Sequence, residues 1–134
     1  METKKSTWIV ILNNKNEILF LKRKSWKWTL PWWKLEKSES FLDCAKRELF
    51  EETGLKNIEL RLFMEKTTQR WSIFWDEKIY IWNLEKNIKL EVTEPDIFEK
   101  IVFLPIDNLP EFEYIEDYDW EILDKLKEEL WFTI

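Results

Sequence analysis

The sequence predicts an α/β sandwich, a mixed β-sheet covered by helices on both faces. Three observations predict it. Short apolar runs of strand length occur along the whole chain, two segments carry a helical apolar stripe, and together they fall in the order β-β-α-β-β-β-α. A chain of 134 residues with 45% hydrophobic and 36% charged residues can bury a real core, and is read as one domain spanning residues 1–134.

The elements follow in order. Trp8 to Leu12 and Glu17 to Lys22 are apolar runs of β type, and Asn13-Asn14-Lys15-Asn16 between them reads as a hairpin turn, because asparagine tolerates positive φ. Arg23 to Ser38 reads as loop, with a short strand around Trp28 to Leu30 before Pro31. Ser40 to Thr53 is a helix whose Phe41, Cys44, Ala45 and Leu49 fall on one stripe. Gly54 then stands where a helix end needs a left-handed residue. Strands follow at Ile58 to Glu65 and Ser72 to Trp82, an acidic loop at Glu91 to Asp96, and a strand at Ile101 to Leu104. Pro105 and Pro110 punctuate the next loop, and a last helix runs from Asp119 to Leu130 with Ile122, Leu123, Leu126 and Leu130 inward.

Composition removes several classes of function. Net charge is −6, which argues against binding long nucleic acid, and aromatic base stacking along a nucleic-acid groove fails for the same want of a basic surface. No apolar run reaches the roughly 18 residues of a membrane span, and the short run after the N-terminal lysines argues against a secretory signal. The single cysteine, Cys44, cannot form an internal disulfide, which fits the cytoplasm; on the apolar stripe it belongs to the core, not to catalysis. There is no histidine, so acid–base work falls to carboxylates, lysine, tyrosine or a metal-bound water.

The chemistry lies in Arg47-Glu48-Leu49-Phe50-Glu51-Glu52-Thr53-Gly54-Leu55. On a helix Glu48, Glu51 and Glu52 are three and four residues apart and crowd one side. They also stand in the last turns, where the helix dipole disfavours acids. Both effects are adverse, by a few tenths to about 1 kcal/mol each. A divalent cation reverses both signs, since Mg²⁺ takes hard oxygen ligands. From spacing alone, a solvated acidic face accounts for the same residues equally well.

The upstream residues add a resemblance. From Trp33 the chain reads five residues to Glu39, seven more to Arg47, then Glu48, Leu49, Glu51, Glu52, Gly54 and Leu55. This resembles the Nudix box, Gly-x5-Glu-x7-Arg-Glu-U-x-Glu-Glu-x-Gly-U with U apolar, over residues 33–55; every defined position agrees except the first, where Trp33 replaces glycine. The likeness to the Nudix hydrolases of MutT type implies an α/β/α sandwich that cleaves a phosphoanhydride bond by a metal-activated water. Its substrate class would be a nucleoside triphosphate, an oxidised one, or a nucleoside diphosphate linked to another group. It implies Mg²⁺, for which Mn²⁺ can substitute, held by Glu48, Glu51 and Glu52 with the backbone carbonyl of Trp32, and with Glu94 as a more distant ligand. One of the three clustered acids would serve as base. Glu39 and Arg47 would brace the loop and helix, Gly54 would end the helix, and Arg23 would touch phosphate. The expected partner is a small nucleotide, with neither membrane nor long nucleic acid. The alternative is a catalytically inactive Nudix-like module that binds a nucleotide or a protein.

One anomaly bears on the box. Glycine normally supplies about 7% of residues, about nine here; the chain has one glycine and ten tryptophans. Trp8, Trp26, Trp32 and Trp33 stand where turns or close backbone approach would favour glycine. A common cause is a codon that means glycine in the source but is translated as tryptophan, with UGA the candidate; Trp28 is expected to be genuine. A divergent aromatic-rich variant is the other account. Expressed as written, the chain is expected to have impaired loop geometry and weak or absent hydrolysis.

Overall fold

The computed structural model describes residues 3–24, 27–53, 56–70, 72–84, 98–110 and 119–131, and for Glu52, Thr53, Arg70, Phe98 and Trp131 the backbone alone. Among these residues the elements are β1 (Thr3–Asn13), β2 (Glu17–Arg23), β3 (Trp28–Thr29), β4 (Trp32–Lys34), α1 (Phe41–Thr53), β5 (Arg61–Arg70), β6 (Ile73–Leu84), β7 (Phe98–Pro105) and α2 (Trp120–Trp131). They form one seven-stranded sheet in the order β3-β2-β1-β6-β5, with β4 also on β1 and β7 also on β2. The sheet is mixed, because β1 and β6 run parallel and the other pairs are antiparallel. Among the described residues no helix is long and apolar enough to cross a membrane.

The predicted hairpin is present. Asn16 has φ of 58°, and the Asn13 side-chain oxygen accepts the Lys15 and Glu17 amides at 3.0 and 2.9 Å. This asparagine turn brings Leu12 opposite Ile18.

Three strand expectations need correction. β1 begins at Thr3, well before its apolar run, because its polar first half pairs with β6 on one side and β4 on the other. β4 lies in a segment whose local pattern predicts loop; it exists because Ser6, Thr7 and Trp8 give Lys34, Trp33 and Trp32 a ladder, a tertiary effect that local pattern does not carry. β5 likewise starts at Arg61 and not Ile58, since Ile58 and Leu60 pack against the core before pairing with β6 begins. The acidic stretch Glu91 to Asp96 lies outside the described residues.

The helices cover opposite faces, as expected. Alternation along β1 sends Trp8, Val10 and Leu12 into one cluster, closed by Ile122, Leu123 and Leu126 of α2. Ile9 and Ile11 enter the other, closed by Ala45 and Leu49 of α1. Each fully buried Leu or Ile contributes about 1.5–3 kcal/mol, so the α1 stripe fixes the helix that carries the acids. Ser40 caps that helix, its Oγ accepting the Asp43 amide at 3.0 Å, so the helix proper starts one residue later than expected.

Candidate active site

The centre of the box is Arg47. Its Nε donates to Glu39 Oε2 at 2.6 Å and its Nη2 to Glu39 Oε1 at 3.2 Å, a two-pronged pair that locks the planar guanidinium against one carboxylate. Its Nη1 donates to Glu48 Oε1 at 2.9 Å and approaches Glu51 Oε1 at 3.3 Å. Nη2 also lies 3.7 Å from Glu36, a partner the sequence reading missed. Glu36 belongs to a turn in which the Glu39 amide donates to the Glu36 carbonyl and the Glu36 amide donates to Glu39 Oε1. Ser38, at φ 69°, makes that turn possible. This pair joins Glu39 in the turn to Arg47 on α1.

Electrostatics follow from these contacts. The hydrogen bond from Arg47 holds the Glu39 carboxyl down to about 2, against an ordinary 4.5. Arg47 is pushed above its ordinary value, first by its bond to Glu39. Glu48 moves opposite to Glu39: burial raises it, Arg47 opposes, and the charges of Glu51 and Glu36 raise it further. A depressed carboxyl contributes stability that is complete above 4.5 and is lost as pH falls towards 2. Melting temperatures of the wild type and Glu39→Gln, compared from pH 2 to 7, are expected to differ most above 4.5 and to converge at the acid end. A gap that does not change with pH would remove Glu39 from this role.

The other candidate residues are placed as follows. Glu48 and Glu51 are brought together on Arg47, and Glu52 lies on the same helix, with its side chain outside the described residues. Glu94, Gly54 and Trp26 lie outside them as well. Among the described residues no three acid, cysteine or histidine side chains gather closely enough to hold a metal. Arg23 ends β2, where a bulge shifts the pairing with β7 and its amide donates to the Lys27 carbonyl at 2.8 Å. Cys44 is fully buried and burial pushes its thiol up to about 12, which suits a core residue and not a nucleophile. A thiol reagent is expected to label it only on unfolding; labelling of the folded chain at neutral pH would contradict this burial.

Trp32 and Trp33 depart from what their box positions led us to expect. Neither has positive φ; both lie in an extended strand, so tryptophan carries no dihedral penalty here. Both rings pack against the core, Trp33 against the α1-side cluster and Trp32 against the α2-side cluster. The main chain at 32 is informative. Ile9 N donates to Pro31 O, and Leu35 N to Lys5 O, at the two ends of this ladder. Alternation then makes Thr7 and Trp33 the hydrogen-bonded pair, so the Trp32 carbonyl, opposite Trp8, points away from β1.

A further tie was not foreseen. Asp119, fully buried at the start of α2, accepts the Leu30 amide at 2.8 Å and so fastens the approach to Pro31-Trp32 to the far helix. The helical pattern predicts Asp119 only as the first residue of the last helix, because its partner lies 89 residues away.

The fold and this acid-bearing helix define an α/β sandwich with a box built around one arginine. The NUDIX domain profile matches residues 2–126, and the chain belongs to that family. It is similar to the RNA pyrophosphohydrolase of Pelagibacter ubique (strain HTCC1062), 43% identical over 56 residues; that match takes in 39% of this chain and only 35% of the relative's length. Among solved structures it is similar to a MutT NUDIX hydrolase from Burkholderia pseudomallei (TM-score 0.77, 21% identity, 93% of this chain and 98% of that one). It is also similar to the MutT protein from Methanosarcina mazei Go1 (TM-score 0.74, 19% identity, 96% and 95%). At such identities these two likenesses speak for the fold.

Proposed function

We infer that the chain is a Mg²⁺-dependent pyrophosphohydrolase that cleaves a phosphoanhydride bond in a small nucleoside diphosphate derivative. The observation that carries this reading is the convergence of Glu48 and Glu51 on the Arg47 guanidinium at the end of α1, with no basic residue in that helix's last turn. One guanidinium shared among Glu36, Glu39, Glu48 and Glu51 leaves the cluster net negative near the negative end of the helix, a cost that a bound divalent ion offsets.

The donor set fits a hard divalent ion, being oxygen alone: Glu48, Glu51 and Glu52, with the Trp32 carbonyl, which turns away from β1. Glu94 remains the candidate for an outer ligand. When bound, such an ion supplies polarisation of the phosphorus centre and a more acidic attacking water. The chain's own residues do the rest. Arg47 and Glu39 hold the box loop against α1, and Arg47 fixes where the Glu48 carboxyl sits. Glu48, raised by burial, is suited to accept a proton from an attacking water. Arg23, on the strand that pairs with β3, is the proposed phosphate contact.

Net charge of −6 favours a small nucleotide over a long RNA, and the small size of the chain favours nucleoside triphosphates, oxidised ones included, over larger conjugates. The reading places the protein in the cytoplasm, in keeping with its lone buried thiol. A second reading, an inactive nucleotide- or protein-binding module, is favoured by the indoles of Trp32 and Trp33 at the start of the box.

The test is a panel of nucleoside triphosphates, oxidised triphosphates, nucleoside diphosphate sugars and a 5′-triphosphorylated RNA, each with Mg²⁺ and with chelator. Release of phosphate or pyrophosphate from a small nucleotide, abolished by chelator, is the expected result. Binding without turnover across the whole panel would transfer the case to the second reading.

A further inference from the structure

A cavity of about 510 Å³ opens on the α1 face of the sheet, between Phe41 at the start of that helix and the outermost described strand, β5. The register builds its floor. Lys5, Asp76 and Thr67 lie in one row across β1, β6 and β5, and Lys78 and Glu65 lie in the next. Strand alternation turns these five side chains to the face that carries Ile9 and Tyr80 in the α1-side cluster. Glu77, between Asp76 and Lys78, turns the other way, where it is 1% exposed and accepts the Trp8 indole N–H and the Ser6 hydroxyl. Sites for small molecules commonly enclose about 300–1,000 Å³, so the space admits one. It is separate from the box: Glu52 stands at the far end of α1, about 16 Å along the helix axis from Phe41.

The charges around this cavity are balanced and spatially sorted. Opposite charges facing each other on neighbouring strands gain by closing into a pair. Lys5 and Asp76 face each other in register and form no ion pair among the described residues. The Lys5 ammonium lies instead over the Phe41 ring, 5.9 Å from its centre, while Asp76 Oδ1 accepts the Thr67 hydroxyl at 3.1 Å. The Lys78 ammonium lies over the same ring at 5.0 Å and reaches Glu65 at 3.4 Å. Two ammonium groups thus gather at the aromatic wall, and two carboxylates line the rest. Each ammonium has three donors and each carboxylate about four lone-pair positions, so both walls have bonding capacity left. We propose that this cavity binds a small zwitterion of the amino-acid type. Its carboxylate meets Lys5 and Lys78, its ammonium meets Asp76 and Glu65, and its apolar side chain rests against Phe41. A ligand with one charge satisfies one wall and is repelled by the other. The proposal does not rest on the hydrolase reading.

The experiment titrates the full chain with three probes, followed by NMR. L-phenylalanine carries both charges, N-acetyl-L-phenylalanine only the negative one, and L-phenylalaninamide only the positive one. L-phenylalanine is expected to bind about fivefold more tightly than either derivative, the scale of one solvent-accessible ion pair. Lys5→Gln is expected to weaken L-phenylalanine and the N-acetyl compound by a similar factor and to spare the amide. Asp76→Asn is expected to weaken L-phenylalanine and the amide and to spare the N-acetyl compound. This crossed pattern is the signature of two walls that read opposite charges. The proposal is overturned by no binding at millimolar L-phenylalanine, by equal binding of all three probes, or by a variant that weakens all three alike.

Should either variant fail to fold, Lys78→Gln and Glu65→Gln take their places and are expected to give the same crossed pattern. The position of the response is a second measurement on the unaltered chain. Signals of Phe41 and Thr67 are expected to move with L-phenylalanine while those of Glu48 and Glu51 stay; a response confined to the box is an overturning result. The probes contain no phosphoanhydride bond, so binding is read apart from turnover. Hydrolysis without this binding leaves the hydrolase reading standing and removes the present one, and binding without hydrolysis does the reverse.

Discussion

Glu52→Gln is expected to lower Mg²⁺-dependent kcat/KM by about 10³-fold, several kcal/mol of transition-state stabilisation, while slightly raising the stability of the metal-free chain. The two signs follow from one cause. Glu52 stands one turn beyond Glu48, in the last turn of α1, where no basic residue offsets the negative end of the dipole. Neutralising it relieves the metal-free helix by a few tenths of a kcal/mol and removes a charged ligand from the proposed site. A change needed only for folding would lower both quantities. Parallel measurement of kcat/KM and melting temperature, with and without Mg²⁺, separates the cases; unchanged activity in a folded Glu52→Gln protein would remove Glu52 from the site.

Restoring glycine at positions 32 and 33 is expected to raise activity by about 10²-fold, the scale of a roughly 1 Å correction at a reacting centre. The gain does not come from relieved dihedrals, because both residues are extended. It comes from space: the Trp32 ring, stacked on Trp8 and edge-on to Trp75, flanks the carbonyl assigned to the ion, and the Trp33 ring packs under α1. The same change should cost stability, since it deletes the Trp32 stacking and places glycine in a strand. Higher turnover from a less stable protein is thus the signature. The coding DNA offers an independent check: UGA at 32 and 33 supports a glycine codon read as tryptophan, whereas UGG at both refutes it. A glycine protein no more active than the tryptophan chain would show that the indoles do not obstruct the box.

The helices and the hairpin were legible because their signals are local. The stripe of Phe41, Cys44, Ala45 and Leu49 needs only helical period, and Asn13-Asn14-Lys15-Asn16 needs only asparagine's tolerance of positive φ. The Glu39–Arg47 brace was legible through the box spacing, although periodicity alone could not tell bracing from surface charge. β4 and the first half of β1 were not legible, because Trp32-Trp33-Lys34 and Thr3 to Thr7 become strands only by finding each other and β6. Asp119 and Glu77 were missed for a related reason: their partners Leu30, Ser6 and Trp8 lie 89, 71 and 69 residues away in sequence. A buried acid announces itself only once the fold surrounds it.

The most direct measurement is a Mg²⁺ or Mn²⁺ titration of the folded chain with glycine at 32 and 33, following the side-chain carboxyl carbons of its glutamates by NMR. A saturable response confined to Glu48, Glu51, Glu52 and any outer ligand such as Glu94, absent from Glu59 and Glu99, is the result expected. If those box signals stay where they are while the ion concentration rises to millimolar, the acids at the end of α1 hold no cation and the catalytic account built on them is contradicted.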